Sequence, residues 1–188
     1  MISMPGGKFF KKKYLKAGSI SIVLYFLFFP TVEIFALDLK TAYSTIVYED
    51  FESINKFNKK LFMGRLRYFM PDKFETTENE VATKVDLLVN RVQSVLEMFP
   101  KDLKFSIYVL KNSDEVKKTY LNIYGNQKDF VAFYSPKMNT VYLSPDKLNV
   151  NILAHEIGHV VVENFFEISP PVKIHEILAQ FSERHLGN

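Results

Sequence analysis

The sequence predicts an α+β domain in which a small mixed β-sheet lies beside a layer of helices. Hydrophobic residues make up 47% of the 188 residues, which is enough for a real core. The chain contains only seven Gly and eight Pro and is 24% charged, so its composition excludes a disordered or low-complexity protein. Segments with strand and helix signals follow in the order strand, helices, strand, helix, hairpin and two helices, which indicates an α+β arrangement.

The first 36 residues differ from the rest of the chain. Five lysines and no acidic residue are followed by a mostly apolar run that ends before Ala36. The fully apolar part is about 13 to 16 residues long, shorter than the roughly 20 that a membrane span needs. This pattern predicts a signal peptide cleaved after Ala36, with an uncleaved membrane anchor as the alternative. In both cases the domain at 37–188 is exported, periplasmic or secreted, and a cleaved chain begins at or near Leu37.

Charge and cysteine content exclude several classes of function. Without the first 36 residues the chain has 19 basic and 20 acidic residues, which gives no footprint for nucleic-acid binding. The absence of cysteine excludes a disulfide framework, a thiol nucleophile and a thiolate metal site.

The first half of the domain mixes strand and helix signals. Residues 44–48 are β-branched and aromatic and predict a strand, and residues 51–62 predict a helix. Thr77 and Glu80 form a capping-box pattern before apolar residues spaced three and four apart, which predicts an amphipathic helix ending at Pro100. Residues 104–110 alternate as a strand.

In the second half, Asn112 and Glu115 predict the start of a helix that runs to Tyr124 before Gly125. Two strands at 130–135 and 140–143, joined by the residues PKMN, predict a hairpin. The helices that follow are predicted at 150–166 and 172–186, with breaker residues between them and Pro171 near the start of the last one.

All four histidines lie in the last 34 residues, and two of them belong to an H-E-x-x-H motif. The spacing of four places His155 and His159 on one helix face, about 6 Å apart, so that they can share one metal ion. Zinc in a catalytic site keeps one position for a water and lowers the pKa of that water. Glu156 is turned about 100° around the axis, beside the ion, where it can accept the water's proton. The alternative is that both histidines belong to an ordinary polar stripe.

A third ligand must come from outside this helix, because Glu163 lies one turn beyond the ion. Glu176 and Glu183, seven residues apart on the next helix, share a face, and spacing alone does not choose between them. No aspartate follows Asp146, so a downstream aspartate ligand is excluded. The metzincin pattern is excluded as well, because it would need Gly and His where this chain has Val and Phe.

The segments AHEIGHVVVENFF and SPPVKIHEILAQF resemble the gluzincin zinc metallopeptidases, in particular the small peptidase MA-like proteins. The resemblance covers residues 130–186 and implies a zincin-like fold, in which a C-terminal helix after the motif helix carries the third ligand. Glu176 matches the ligand glutamate of the family's second motif. The chain departs from the family at Ile177, which replaces a glycine, and at Gln180, which replaces the acidic residue expected to orient an imidazole.

The resemblance also implies roles for residues around the metal. An extended peptide substrate would pair with the strand at 130–135. Tyr134, His175 and Gln180 are candidates for supporting a metal ligand or stabilising the oxyanion. His185 is expected to point away, because it lies about 180° around the helix from Glu176.

We therefore predict an exported, zinc-dependent metallopeptidase that acts on a peptide or protein. Its metal ligands would be His155, His159 and Glu176, and its general base would be Glu156. The alternative is a noncatalytic, zinc-stabilised binding domain at the cell envelope. Contact with a membrane is expected only through residues 1–36, if they are not cleaved.

Overall fold

The computed structural model describes residues 36–187, which form a mixed α/β fold around one five-stranded sheet. The predicted export segment, apart from Ala36, lies outside these residues. The strands of the sheet are β1 (Leu37–Lys40), β2 (Ser44–Tyr48), β3 (Phe105–Val109), β4 (Ala132–Ser135) and β5 (Thr140–Leu143). The helices of the fold are α1 (Phe51–Lys60), α2 (Thr77–Leu96), α3 (Ser113–Tyr124), α4 (Val150–Phe165) and α5 (Val172–Arg184). Within residues 36–187, no helix has the length and apolar character needed to cross a membrane.

The sheet is mixed, as expected, and its strand order is β1-β2-β3-β5-β4. β2, β3 and β5 are parallel, whereas β1 and β4 pair antiparallel at the two edges. β4 and β5 form the predicted hairpin, which turns through a short 3₁₀ segment (Pro136–Met138) and Asn139 in the left-handed conformation. This order places β4 at one edge of the sheet, where Tyr134 contacts α4.

Two elements were not predicted from the sequence. β1 lies immediately after the export segment, and a 3₁₀ segment (Gly64–Phe69) follows α1. α1 is also shorter than predicted, since it ends at Lys60.

The predicted ends of α2 were wrong. Thr76, not Thr77, is the N-cap, and its side chain accepts a hydrogen bond from the backbone of Asn79. Glu80 turns to the side and contacts Asn58 and Lys84, at 2.8 Å in each case. The helix stops at Leu96, because the next residue adopts a left-handed conformation that closes the last turn before Pro100 is reached.

The core is formed by the inner face of the sheet together with the apolar stripes of α1, α2 and α4. Val85, Leu88 and Val92 of α2 and Leu153, Ile157 and Val161 of α4 are fully buried. α4 is apolar on almost every side, and this accounts for its strong sequence signal. Its polar motif is therefore held on a rigid, buried helix.

Candidate metal centre

α4 and α5 are packed unusually closely, and this contact positions the candidate site. A Cβ atom at Gly158 would lie 2.7 Å from Ser182 Oγ and 2.9 Å from Ala179 Cα. The Ser182 hydroxyl also donates a hydrogen bond to the carbonyl of Ala154, at 3.3 Å. The glycine of the H-E-x-x-H motif thus lets the two helices approach until their polar side chains meet.

The three predicted metal ligands, His155, His159 and Glu176, come together where α4 and α5 meet. The imidazole centroids of His155 and His159 are 4.9 Å apart. Glu176 Oε2 lies 3.6 Å from His155 Nε2, and Glu176 Oε1 lies 3.6 Å from His159 Nε2. One ligand atom from each of the three residues lies within 4.8 Å of the others, so the group could hold a metal ion.

Glu156 belongs to the same helix but not to this group. Its side chain is buried, and its Oε2 accepts a hydrogen bond of 2.7 Å from the backbone N–H of Tyr134 in β4. The pKa of Glu156 is raised to about 8, chiefly by burial; the Tyr134 hydrogen bond opposes the rise, and the nearby carboxylates of Glu176 and Glu183 add to it. A carboxylate with a pKa near neutrality is suited to proton transfer.

The pKa of His159 moves in the opposite direction. This pKa is lowered to about 3, chiefly by burial and in addition by the neighbouring His155 and His175. His159 is therefore neutral at physiological pH, and a neutral imidazole can offer its lone pair to a metal without first losing a proton.

Glu183 contacts His155, the first histidine of the motif. Glu183 Oε2 lies 3.2 Å from His155 Nδ1, on the opposite side of the ring from Glu176. In the sequence Glu183 stands beside Arg184 near the end of the chain, which suggests a solvated ion pair, but its contact with His155 shows that this interpretation is wrong. Gln180, expected at the family's orienting position, is exposed instead. Glu183 supplies the carboxylate that Gln180 lacks, from one turn further along α5.

His175 is buried, and its ring centroid lies 5.7 Å from that of His159, but its Nε2 is bonded to residues outside the three-residue group. Its Nε2 lies 3.1 Å from Glu163 Oε2 and 3.2 Å from Ser169 Oγ, and the Ser169 hydroxyl donates to the same carboxylate at 2.7 Å. These contacts tie the end of α4 and the turn after it to the start of α5. The contacts of Glu163 and Ser169 with His175 were not predicted, because they depend on the path of the turn between α4 and α5.

A cavity of about 230 Å³ opens beside the group and is lined by Tyr134, His159, His175 and Glu176, among others. The hydroxyl of Tyr134 donates to Asn139 at 2.9 Å, and burial raises the pKa of this tyrosine, with a further contribution from Glu163. Tyr134 therefore stays protonated, and its single hydroxyl proton is donated to Asn139. His185 stacks on Phe181 at 4.1 Å, away from the group, as expected.

The close helix contact at Gly158 can be tested directly. We expect Gly158→Ala to destabilise the protein by about 1–3 kcal/mol, because the added methyl meets backbone that must shift. Urea unfolding measures this change. The matched control is Gly187→Ala, where a new Cβ meets no atom within 4 Å. Equal unfolding midpoints for the two variants would contradict the tight helix contact described above.

The arrangement combines a group of three side chains that could hold a metal ion, a buried carboxylate on the same helix, and a cavity lined by two members of the group, His159 and Glu176. The His/His/Glu donor set suits a borderline cation such as zinc. Protein-family models, characterised proteins and solved structures were all compared with this chain, and none of them matches it.

Proposed function

We propose that this chain is a zinc-dependent metallopeptidase of the gluzincin type, with a zincin-like fold. The observation that carries the proposal is that the three possible ligands and Glu156 make different contacts, although they lie on the adjacent helices α4 and α5. Three side chains converge where one ion could bind, and the buried Glu156, next to His155 in the same helix, is hydrogen-bonded to β4 instead of joining them.

The donor geometry fits zinc. Two ligands of a tetrahedral zinc ion, each about 2.0–2.2 Å from the metal, lie roughly 3.4 Å apart. Glu176 lies 3.6 Å from each motif histidine, so small side-chain adjustments suffice. Zinc bound there would polarise the scissile carbonyl and lower the pKa of an attacking water.

The chain's own residues supply the remaining functions. Glu156 would accept the proton of the attacking water and pass it to the leaving amine. The Tyr134 backbone N–H holds this carboxylate in place, and Glu183 orients the ring of His155 through Nδ1. We assign oxyanion stabilisation to the protonated Tyr134 hydroxyl, which would exchange its hydrogen bond to Asn139 for one to the oxyanion.

A peptide would reach this site along β4, since that strand lies at the edge of the sheet and Tyr134 contacts the motif helix. An extended substrate could lie along the outer edge of this strand, although the Tyr134 N–H itself is bonded to Glu156. Residues 1–36 would export the enzyme, as a signal peptide or as an anchor. The substrate of the proposal is therefore an extended peptide or an unfolded protein segment outside the cytoplasm.

The alternative, a noncatalytic domain stabilised by zinc, would require a closed site with four protein ligands. His175 is the nearest further histidine, and it is engaged by Glu163 and Ser169. Among residues 36–187 the ligand group has three members, and this favours a catalytic site with an open position.

The first test is metal content together with hydrolysis. We expect the purified protein to carry about one zinc per chain, to cleave an unfolded protein such as casein, and to lose both properties after dialysis against a chelator. Elemental analysis and a gel-based cleavage assay measure the two. Restoration of cleavage by zinc, but not by magnesium, is the expected control. Absence of zinc after expression in zinc-replete medium would contradict the proposal.

A further inference from the structure

Three aromatic side chains protrude from the segment 59–73, which we call the basic loop. The exposed fractions of Phe62, Tyr68 and Phe69 are 79%, 90% and 76%. In the same segment Leu61, Met63, Leu66 and Met70 are buried in the core. The buried residues hold the loop to the domain, so its aromatic side chains are presented to solvent from a fixed base.

The basic loop also concentrates positive charge. It contains five basic residues and one acidic residue, whereas the rest of residues 37–188 contains 14 basic and 19 acidic residues. Lys59, Arg65 and Lys73 are exposed. The Arg67 guanidinium donates to the carbonyls of Pro71 and Asp72, at 2.6 and 3.1 Å, and thereby fixes the shape of the loop.

Aromatic rings and positive charge lie on the same surface of the basic loop. Arg65 and Phe69 line one groove of about 360 Å³, and Arg65 and Phe62 line a second cavity beside the start of α4. Residues three apart in a 3₁₀ segment eclipse each other, so Tyr68 lies on the same face as Arg65. Arg65 is therefore surrounded by the three protruding aromatic residues.

From this juxtaposition we infer that the basic loop docks on the surface of an anionic lipid bilayer. Aromatic side chains prefer the interface between headgroups and acyl chains, and lysine and arginine are attracted to anionic headgroups. A protein partner fits less well, because lysine is depleted in protein interfaces and three lysines belong to this loop. This membrane contact is separate from any contact made by residues 1–36, and it does not depend on the proposed peptidase activity.

The chain has no tryptophan, so a single introduced tryptophan reports on one position only. We compare the full-length variants Phe69→Trp and Ile168→Trp. Ile168 is 87% exposed and follows the far end of α4, about 24 Å along that helix from the residues that border the basic loop. Each variant is mixed with vesicles of phosphatidylcholine alone or with phosphatidylglycerol added, and some vesicles carry brominated acyl chains as a quencher.

With anionic vesicles we expect a blue shift and strong bromine quenching for the Phe69→Trp variant, and little change for Ile168→Trp. With vesicles of phosphatidylcholine alone, the apparent affinity reported by the Phe69→Trp variant should be at least tenfold weaker. Tyr68→Trp provides a second reporter position if Phe69→Trp perturbs folding.

The positive charge is tested in the Phe69→Trp background. Lys59→Glu with Arg65→Glu should reduce the loop's response to anionic vesicles about tenfold or more. Lys101→Glu with Lys118→Glu changes the net charge equally, at exposed positions outside the loop, and should have little effect.

Several results would overturn the inference. One is equal bromine quenching of the tryptophans at positions 69 and 168. Another is a Phe69→Trp response that is the same with anionic vesicles and with phosphatidylcholine alone. A Phe69→Trp emission that is already blue-shifted in buffer and unchanged by vesicles would show that another part of the protein covers the loop. A response to single-stranded oligonucleotides but not to vesicles would assign the loop to nucleic acid.

Discussion

Glu176→Ala is expected to weaken zinc binding by orders of magnitude and to remove peptide hydrolysis with it. Glu176 is the only carboxylate within reach of both motif imidazoles among the described residues, at 3.6 Å from each. Its removal leaves two imidazoles, which do not hold zinc firmly against competing chelators. Zinc affinity is measured by competition with a chromogenic chelator, and activity by cleavage of an unfolded protein.

Glu183→Ala and Glu167→Ala are the matched controls for this result. Glu183 contacts the outer nitrogen of His155, so its loss should weaken zinc about 10- to 100-fold without removing it. Glu167 is exposed in the turn between α4 and α5 and should change nothing measurable. If Glu176→Ala retains zinc while Glu183→Ala loses it, the assignment of the two glutamates is reversed.

Glu156→Gln is expected to retain zinc and to lower the hydrolysis rate by about 10²- to 10⁴-fold. Glutamine cannot accept the water's proton, but its side-chain oxygen can still accept the hydrogen bond from the Tyr134 backbone. The metal ligands are untouched, so zinc content and thermal stability are measured alongside the rate. His159→Ala, in contrast, should lose both zinc and hydrolysis.

Glu167→Gln controls for the loss of one carboxylate near the same helix. A Glu156→Gln protein that cleaves as fast as the parent would contradict the assignment of the base and leave the metal group without a catalytic role. Loss of zinc in Glu156→Gln would instead place Glu156 among the ligands.

The helices of the site were predictable because their signals are local. α4 is a long apolar helix with an Asn cap, and α5 begins next to Pro171, so both starts were predicted correctly. β1 was missed because its four residues directly follow a long apolar run and carry only a weak alternation. The order of the strands was not predicted, because β2 and β3 pair between residues as far apart as Ser44 and Phe105.

The candidate metal group was predictable from the motif, and its surroundings were not. Spacing placed Glu176 and Glu183 on one face, and both do face His155. The prediction, guided by the family pattern, expected the carboxylate that orients an imidazole at position 180, and therefore gave Glu183 no role at the site. The contact of His175 with Glu163 and Ser169 depends on how the turn folds back, which no local pattern encodes.

The hydrogen bond from Tyr134 to Glu156 also bears on aggregation. β4 lies at the edge of the sheet, and unpaired N–H groups on edge strands invite the strands of other molecules to add to the sheet. Glu156 occupies one of these donors from the motif helix, so the same carboxylate that would serve catalysis also satisfies an N–H group at the edge of the sheet. Glu156→Ala, unlike Glu156→Gln, would free that donor. We therefore expect the alanine variant to form oligomers at concentrations at which the glutamine variant stays monodisperse, as measured by light scattering.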